Sequence, residues 1–344
     1  MPRIYHLKGN PYEIGFAMGQ ALGPRLGDNI TRYIHQRIPA GYDFKVQAWR
    51  RGALPWLREL PERYLDEFTG LAAGSGLPLQ RIAEWAYLEV LLNNACSGAI
   101  VTVGGHAWVA RNNDIFAPDM WGYVTIREVT GRIPTICFTL EGDVYTPTGI
   151  NQEKLWLHYN WLPAWDLPEA GEFQLPAFVF MVEALETCRT LQDVEKLLLQ
   201  VPRDGGMLLF AVDGKTDEFA LYECTCTGFY KRLPVDGWIA GTNHYCALRN
   251  GYEDKDTAPL SSPSRYRRLE TLAGAFNPNA QLDSPVRRLI EMLADDEIES
   301  RSGEVQTAYS NVACPATGEM WYTFGGYPSA SQGDWQRLEW PWDN

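Results

Sequence analysis

Apolar positions recur with a helical period in the first part of the chain. Asn10 to Glu13 has the composition of a helix start, with a capping asparagine, a proline in the first turn and a glutamate that completes a capping box. From Pro78 to Leu92 the apolar residues recur every three or four positions, which is typical of a helix with one buried face. We therefore expect residues 10–95 to be helical, with breaks at Pro55 and Pro61.

At Cys96 the period changes from helix to strand. Two apolar runs, Ala99 to Val103 and Ala107 to Ala110, flank a glycine pair that is typical of a tight hairpin turn. Residues that pair across a hairpin lie about 5 Å apart and share a face of the sheet. A two-residue turn places Cys96 opposite Asn113, and a three-residue turn places it opposite Asp114. In both cases the thiol lies beside the polar run that ends at Asp114.

Further strands and two long helical segments follow. The strands are predicted at Gly206 to Val212, Glu218 to Glu223, Trp238 to Tyr245, Thr307 to Val312 and Glu319 to Phe324, and the helices at Ala177 to Gln200 and Ser284 to Glu297. Antiparallel hairpins that alternate with helices predict an α+β fold in which helical layers cover the sheets.

Composition narrows the choice of partners and compartment. The net charge of −13 comes without a basic run, so nucleic acid and anionic membrane surfaces are not expected partners. The sequence has neither an apolar stretch of about 20 residues nor the pattern of a secretory signal. Seven cysteines without paired spacing predict reduced thiols and a cytoplasmic protein. Cys224 and Cys226 lack a second cysteine pair, so we interpret them as core residues and expect no bound metal.

The residues around Cys96 carry the candidate chemistry. The predicted hairpin brings a thiol together with the guanidinium of Arg111, two asparagine amides and the carboxyl of Asp114. A structural cysteine normally has apolar neighbours, whereas reactive thiols lie near cations. Spacing alone leaves open whether Cys96 is a nucleophile or a buried cysteine next to a turn.

Six short motifs, in order along nearly the whole chain, resemble those of one enzyme family. They are Gly9 to Gly15 followed by Gly19, Ala95-Cys96-Ser97, Arg111 to Asp114, Thr148 to Asn151, Gly241 to His244, and Ser262 to Tyr266. With them the chain resembles the acyl-CoA:6-aminopenicillanate acyltransferases and related cysteine hydrolases, which belong to the N-terminal-nucleophile hydrolases.

The resemblance implies a fold and a processing event. The implied fold is an αββα four-layer sandwich, with two antiparallel sheets between helical layers. The implied event is self-cleavage before Cys96. It would divide the chain into a helical segment, residues 1–95, and a catalytic chain, residues 96–344.

The resemblance also implies a reaction and roles for site residues. The freed Cys96 would act as nucleophile through its thiol and as base through its α-amino group, whose ordinary pKa values are about 8.5 and about 7.7–8.0. Asp114 would hold the resulting ammonium, and Asn243 would donate its side-chain amide to the oxyanion. Arg111 would support the site electrostatically or pair with an exposed carboxylate. The expected substrate is a small N-acyl amide or an acyl-CoA thioester, and no cofactor is implied.

One motif departs from the family pattern. The family also uses an arginine close to the last hairpin, and the position here that aligns with it is Glu304. We expect Arg301, three residues earlier, to occupy the same space and to complete the catalytic set.

Two other interpretations of Cys96 remain open from the sequence. A papain-like pair would join Cys96 to a histidine, either His244 or His106, although the context of Cys96 lacks the papain pattern. Alternatively, the chain is an unprocessed homologue that binds a small molecule without chemistry. Tryptophans such as Trp156, Trp161 and Trp165 would then line its pocket.

Overall fold

The computed structural model describes residues 3–37, 43–91, 95–115, 122–140, 146–162, 166, 174–248, 262–278, 284–301 and 305–342. The chain divides into two compact units. One consists of Met1–Leu92 and Met120–Thr146, and the other of Asn93–Asp119 and Pro147–Asn344. Trp165 and Glu304 lie outside the described residues.

The described residues form the following helices and strands. The helices are α1 (Pro11–Leu22), α2 (Pro24–Arg37), α3 (Asp43–Glu59), α4 (Glu62–Ser75), α5 (Leu79–Leu91), α6 (Ala177–Thr187), α7 (Leu191–Gln200), α8 (Ser262–Ala273), α9 (Pro285–Leu293) and α10 (Ser329–Gln332). The strands are β1 (Arg3–Gly9), β2 (Ala95–Val103), β3 (His106–Ile115), β4 (Gly122–Val129), β5 (Thr135–Leu140), β6 (Thr148–Asn151), β7 (Leu155–Leu162), β8 (Gly206–Asp213), β9 (Glu218–Cys224), β10 (Phe229–Arg232), β11 (Trp238–Gly241), β12 (Gln306–Cys314), β13 (Glu319–Phe324) and β14 (Gln336–Leu338).

The helical expectation for the start of the chain is confirmed where the structure describes it. Asn10 caps α1 and forms the predicted reciprocal capping box with Glu13. Pro61 stands at the N-terminal boundary of α4, as expected. The predicted break at Pro55 is wrong, because α3 continues through it. A proline removes one helical hydrogen bond, and the neighbouring turn of α3 is held by buried Ala53 and Leu57.

The sequence pattern does not predict the strands β1, β4 and β5 of the first unit. β1 pairs with β4 in parallel, and β4 pairs with β5 in the antiparallel sense. The expectation of purely antiparallel sheets therefore fails at this one pair. β1 buries only Leu7 and leaves its other residues partly or fully exposed, so it lacks the apolar alternation that marks a strand.

The second unit by itself has the four layers expected of the fold. Strands β6 to β10 run in sequence order in one antiparallel sheet, and the other sheet has the order β11-β2-β3-β12-β13-β14. Helices α6 and α7 pack on β6 to β8, whereas α8, α9 and α10 pack on the six-stranded sheet. Strands β2 and β7 meet between the two sheets. The predicted α+β sandwich is confirmed.

An apolar core joins the six-stranded sheet to its helices. Ala99 and Val101 of β2 pack with Leu269 of α8 and Leu293 of α9, all of them buried. Burial of a leucine side chain contributes about 1.5–3 kcal/mol. This core fixes α8, whose first turn carries site residues, against the strand that begins at Ala95.

Two predicted elements are shorter than the sequence pattern indicates. The helical segment at Ala177 to Gln200 is two helices, because Cys188 is extended and Thr190 caps α7 by accepting a hydrogen bond from Asp193 N. The strand expected at Trp238 to Tyr245 ends at Gly241, so the residues after it form a loop. No helix in the described ranges has the length and apolar character to cross a membrane.

Candidate active site

The β2–β3 hairpin places Cys96 as one of the two predicted registers requires. Gly104 and Gly105 both have positive φ and form the two-residue turn, and Cys96 lies opposite Asn113. The alternative register, with Cys96 opposite Asp114, is not adopted. Cys96 is 2% exposed. The cysteine is therefore at the buried end of a strand pair whose other end is the turn.

The thiol shares one face of the sheet with Arg111. Arg111 is fully buried, and its Nη2 lies 3.6 Å from Cys96 Sγ. Its Nη1 donates to the Tyr159 carbonyl at 2.7 Å and to Asn160 Oδ1 at 3.0 Å. Since β7 supplies both acceptors, the guanidinium is fixed between the two sheets with one nitrogen directed at the sulfur.

Close packing of the two sheets around Arg111 requires a glycine. Gly98 lies opposite Arg111, and a Cβ at this position would be 2.7 Å from Nε2 of His158 on β7. His158 is buried and stacks on Phe210, and burial holds its pKa well below the usual value. The imidazole is therefore neutral, and adds no charge beside the guanidinium.

Opposing effects act on the Cys96 thiol. Burial raises its pKa, because the charged thiolate loses hydration. The Arg111 guanidinium opposes this shift, and so does a hydrogen bond from the backbone N–H of Asp114. In the intact chain the thiol is therefore mostly protonated at neutral pH, and the sulfur needs a base to become a strong nucleophile.

Two side chains hold the backbone of Cys96, one on each side of its Cα. Its N–H donates to Asn243 Oδ1 at 2.8 Å, and its carbonyl accepts from Arg265 Nη1 at 2.6 Å. Arg265 Nη2 also donates to Asn243 Oδ1 at 3.0 Å. Two donors thus fix the orientation of the Asn243 amide, with its oxygen toward the nitrogen of Cys96.

The loop after β11 is fastened to α8 and β7. Ser262, the first residue of α8, accepts a hydrogen bond from Asn243 N at 2.8 Å. Asn243 Nδ2 donates to the Trp161 carbonyl at 2.9 Å, and Asn160 Nδ2 donates to the Thr242 carbonyl at 2.9 Å. In this arrangement the Asn243 amide nitrogen, which we expect to serve the oxyanion, is engaged by Trp161.

Asp114 is a buried carboxyl next to Arg265. Thr307 Oγ1 donates to Asp114 Oδ1 at 2.7 Å, and Arg265 Nη1 lies 4.0 Å from Oδ2. Oδ2 has no hydrogen-bond partner among the described residues. Burial raises the pKa of Asp114 to about 6, against the attraction of Arg265. This oxygen is therefore an acceptor with room for one more donor.

Among the described residues, Arg301 and the two candidate histidines do not contact the Cys96 thiol. Arg301 is exposed and pairs with Asp296 and Glu299, so it does not join the residues that contact Cys96. His244 Nδ1 lies 2.8 Å from Ser262 Oγ, and burial lowers its pKa to about 4. His106 lies at the turn end of the hairpin and pairs with Asp217. The structure shows no hydrogen bond from these histidines to the Cys96 thiol in its described part.

Sequence reasoning missed two residues of this cluster. Arg265 lies inside the Ser262 to Tyr266 motif, but the motif by itself assigns it no contact. Asn160 occupies a strand, β7, that is not among the predicted strands. Asn160 is a fully buried asparagine among apolar residues of β7. The structure shows this burial, but the sequence alone does not.

This cluster of residues around Cys96 lies on the four-layer αββα fold of the second unit. Residues 101–327 match the acyl-coenzyme A:6-aminopenicillanic acid acyl-transferase family, and the chain belongs to this family. The matched segment includes Arg111, Asp114, Asn243 and Arg265 and begins five residues after Cys96.

The chain is similar to several known proteins in structure or in sequence. Penicillin V acylase from Agrobacterium tumefaciens has a similar structure, with a TM-score of 0.50 and 12% identity over 70% of this chain and 86% of that one. A conjugated bile acid hydrolase mutant from Clostridium perfringens has a TM-score of 0.47 and 11% identity over 71% and 97%. Protein dcd1B of Dictyostelium discoideum is 20% identical over 76% of this chain, which spans 58% of that relative's length.

Proposed function

We propose that this protein is a self-processing cysteine amidohydrolase or acyltransferase that acts on small N-acyl amides through an acyl-thioester on Cys96. One observation carries the proposal. The backbone nitrogen of Cys96 is anchored by Asn243 at 2.8 Å while its sulfur faces the Arg111 guanidinium at 3.6 Å. Buried polar side chains thus hold both groups that the reaction needs in one residue.

Processing starts from the intact Ala95–Cys96 peptide bond. The Cys96 sulfur loses its proton and attacks the Ala95 carbonyl carbon, and the C–N bond breaks as the nitrogen takes up a proton. The products are a thioester of Ala95 on Sγ and a free α-amine. Water then hydrolyses the thioester and releases Ala95 as a carboxylate. The chains contain 95 and 249 residues.

Turnover uses the same sulfur and the freed nitrogen. The α-amine takes the thiol proton, and the thiolate attacks the acyl carbon of the substrate. The resulting ammonium returns the proton to the leaving nitrogen, the C–N bond breaks, and an acyl-thioester remains. Water or an amine then attacks the thioester, which regenerates the thiol and yields an acid or a new amide.

Each anchored contact has a use in this scheme. Asn243 Oδ1 accepts an N–H of Cys96 before cleavage and continues to accept one afterwards, so the nitrogen keeps its place. Asp114 Oδ2, which accepts no hydrogen bond among the described residues, holds the ammonium, and Arg111 stabilises the thiolate. Arg265 keeps the Cys96 carbonyl fixed while the bond on the other side breaks. The oxyanion role of Asn243 requires its amide to leave the Trp161 carbonyl.

Mass analysis of the acyl-enzyme tests this function. We expect purified wild type, incubated with a panel of N-acyl p-nitroanilides and quenched in acid, to carry the acyl mass on the peptide that begins at Cys96. Cys96→Ala removes both the adduct and the release of p-nitroaniline. Cys314→Ser is the matched control, because Cys314 is a buried free cysteine of the same sheet, and it should leave both unchanged. Turnover by Cys96→Ala at the wild-type rate would contradict the proposal.

A further inference from the structure

Asn113 lies directly opposite Cys96 and presents an unused acceptor. The two residues are register partners, so their side chains share a face of the sheet with Cβ atoms about 5 Å apart. Asn113 is 4% exposed, and its Oδ1 has no hydrogen-bond partner among the described residues. A buried amide oxygen without a donor costs about 1–3 kcal/mol.

Tyr309 fixes the direction of the Asn113 amide. Asn113 Nδ2 donates to the Tyr309 hydroxyl at 3.1 Å, and the same hydroxyl lies 3.0 Å from Thr148 Oγ1. Tyr309 is 1% exposed, and burial raises the pKa of its hydroxyl to about 12, so it stays protonated. With the nitrogen committed to Tyr309, the oxygen of the amide is the atom left for a ligand.

Asn113 Oδ1 can pair only with a ligand group that donates a hydrogen bond. An amide oxygen accepts hydrogen bonds and donates none. When an acyl carbon approaches Cys96 Sγ, its leaving atom lies within a few ångströms of the sulfur and so within reach of the side chain opposite. The nitrogen of a secondary amide carries a hydrogen there, whereas the oxygen of an ester and the sulfur of a thioester carry none.

We propose that Asn113 Oδ1 accepts the N–H of the scissile amide and so makes the site selective for secondary amides over esters and thioesters. The assignment rests on the proposed function. A fixed N–H also fixes the direction of the nitrogen lone pair, which must receive the proton from the Cys96 ammonium. Sites that hydrogen-bond a substrate N–H reject analogues that lack it, because the buried partner is then left unpaired.

A matched pair of substrates tests the role of Asn113. A p-nitroanilide and a p-nitrophenyl ester with the same acyl group differ at the leaving atom, and the readout is the ratio of their kcat/KM values. We expect Asn113→Leu to lower the amide-to-ester ratio at least tenfold. Asn311→Leu is the control, because Asn311 is a buried asparagine opposite Arg111 on the neighbouring strand. Its ratio should equal that of wild type.

The outcomes separate this assignment from the function on which it rests. An amide-to-ester ratio that is unchanged in Asn113→Leu, or that falls equally in Asn311→Leu, overturns the role of Asn113. If wild type still turns over the amide in that case, the proposed function is upheld. Wild type that hydrolyses neither substrate overturns both. Asn113→Ala, which adds no bulk to the site, must give the same fall as Asn113→Leu, so a folding defect in the leucine variant does not decide the question.

Discussion

At the residue scale, the proposed chemistry depends on how Cys96 is held. Asn243 and Arg265 contact the backbone on either side of the Cys96 Cα, and Arg111 contacts its sulfur. A structural cysteine needs none of these contacts, since apolar neighbours suffice to bury it. The polar environment is costly unless each group is paired or used. Asp114 Oδ2 and Asn113 Oδ1 accept no hydrogen bond among the described residues, so a further donor fits at each of them.

Asp114 gives a prediction about stability and pH. Burial raises its pKa from 3.8 to about 6, so the folded chain binds the proton more tightly than the unfolded chain does. The free energy of unfolding therefore falls as the pH rises from about 4 to about 6, by on the order of 3 kcal/mol. In the uncut Cys96→Ala background, Asp114→Asn should be more stable than its parent at pH 7.5 by up to that amount and equal to it near pH 4.

Chemical denaturation of the two proteins at both pH values measures the difference. Since the uncut background lacks the free ammonium of Cys96, the comparison reports on the buried carboxyl alone. An Asp114→Asn variant that is less stable than its parent at pH 7.5 would mean that the carboxylate is well paired in the intact chain. Asp114 would then have no spare oxygen with which to hold the ammonium.

Sequence could predict Cys96, Arg111, Asp114 and Asn243 as site candidates, but not how they are joined. Cys96 and Asn243 are 147 positions apart, and Arg265 contacts Cys96 across 169 positions. Contacts of this kind depend on which side of a helix or strand meets the hairpin, and local patterns do not contain that information. Arg301 and Arg265 are equally charged in the sequence, and only the packing of α8 against β2 separates them. The roles of these residues stay predictions.

At the element scale, the hairpin is the best predicted feature. Its two-residue glycine turn fixes the register, and the register brings Asn113 opposite the thiol. The division between α6 and α7 was missed because the apolar stripe continues across it. Thr190 followed by Asp193 is a capping signal within that stripe, and the structure uses it.

The contact between α1 and α4 gives a prediction about glycine. Gly15 and Gly19 of α1 lie against the backbone of α4, and Gly70 and Gly74 of α4 lie against the backbone of α1. An added Cβ at Gly74 would overlap the carbonyl oxygen of Phe16. Because backbone atoms on both sides leave no room, Gly74→Ala should force the helices apart and lower the free energy of unfolding by about 1–3 kcal/mol or more. Thermal or denaturant unfolding of the full chain measures the loss.

Gly205→Ala is the matched control for this substitution. Gly205 has open space where a Cβ would lie, and its φ is not in the left-handed region. Its replacement should leave stability unchanged or raise it slightly, because alanine restricts the unfolded chain. Equal stability of Gly74→Ala and Gly205→Ala would show that α1 and α4 do not pack through their glycines.

At the scale of the whole molecule, period changes along the chain were enough to predict an α+β fold in which helical layers cover the sheets. The four-layer sandwich was implied by the family resemblance. The mixed pairing of β1 and the course of α3 through Pro55 were not predictable, because each depends on neighbours that the local pattern does not name. Residues 101–327 match the acyl-transferase family, and this match is one of the reasons why we propose acyl-transfer chemistry for the site. Whether the chain divides into residues 1–95 and 96–344 is a property of the chain as a whole.

Intact mass spectrometry of purified wild type and Cys96→Ala measures that property most directly. The account predicts two chains from wild type, of 95 and 249 residues with Cys96 at the start of the longer one, and a single chain of 38.9 kDa from Cys96→Ala. A wild-type chain that remains whole while it cleaves N-acyl amides would contradict the central claim, because the nitrogen of Cys96 would then be a peptide nitrogen and not a base.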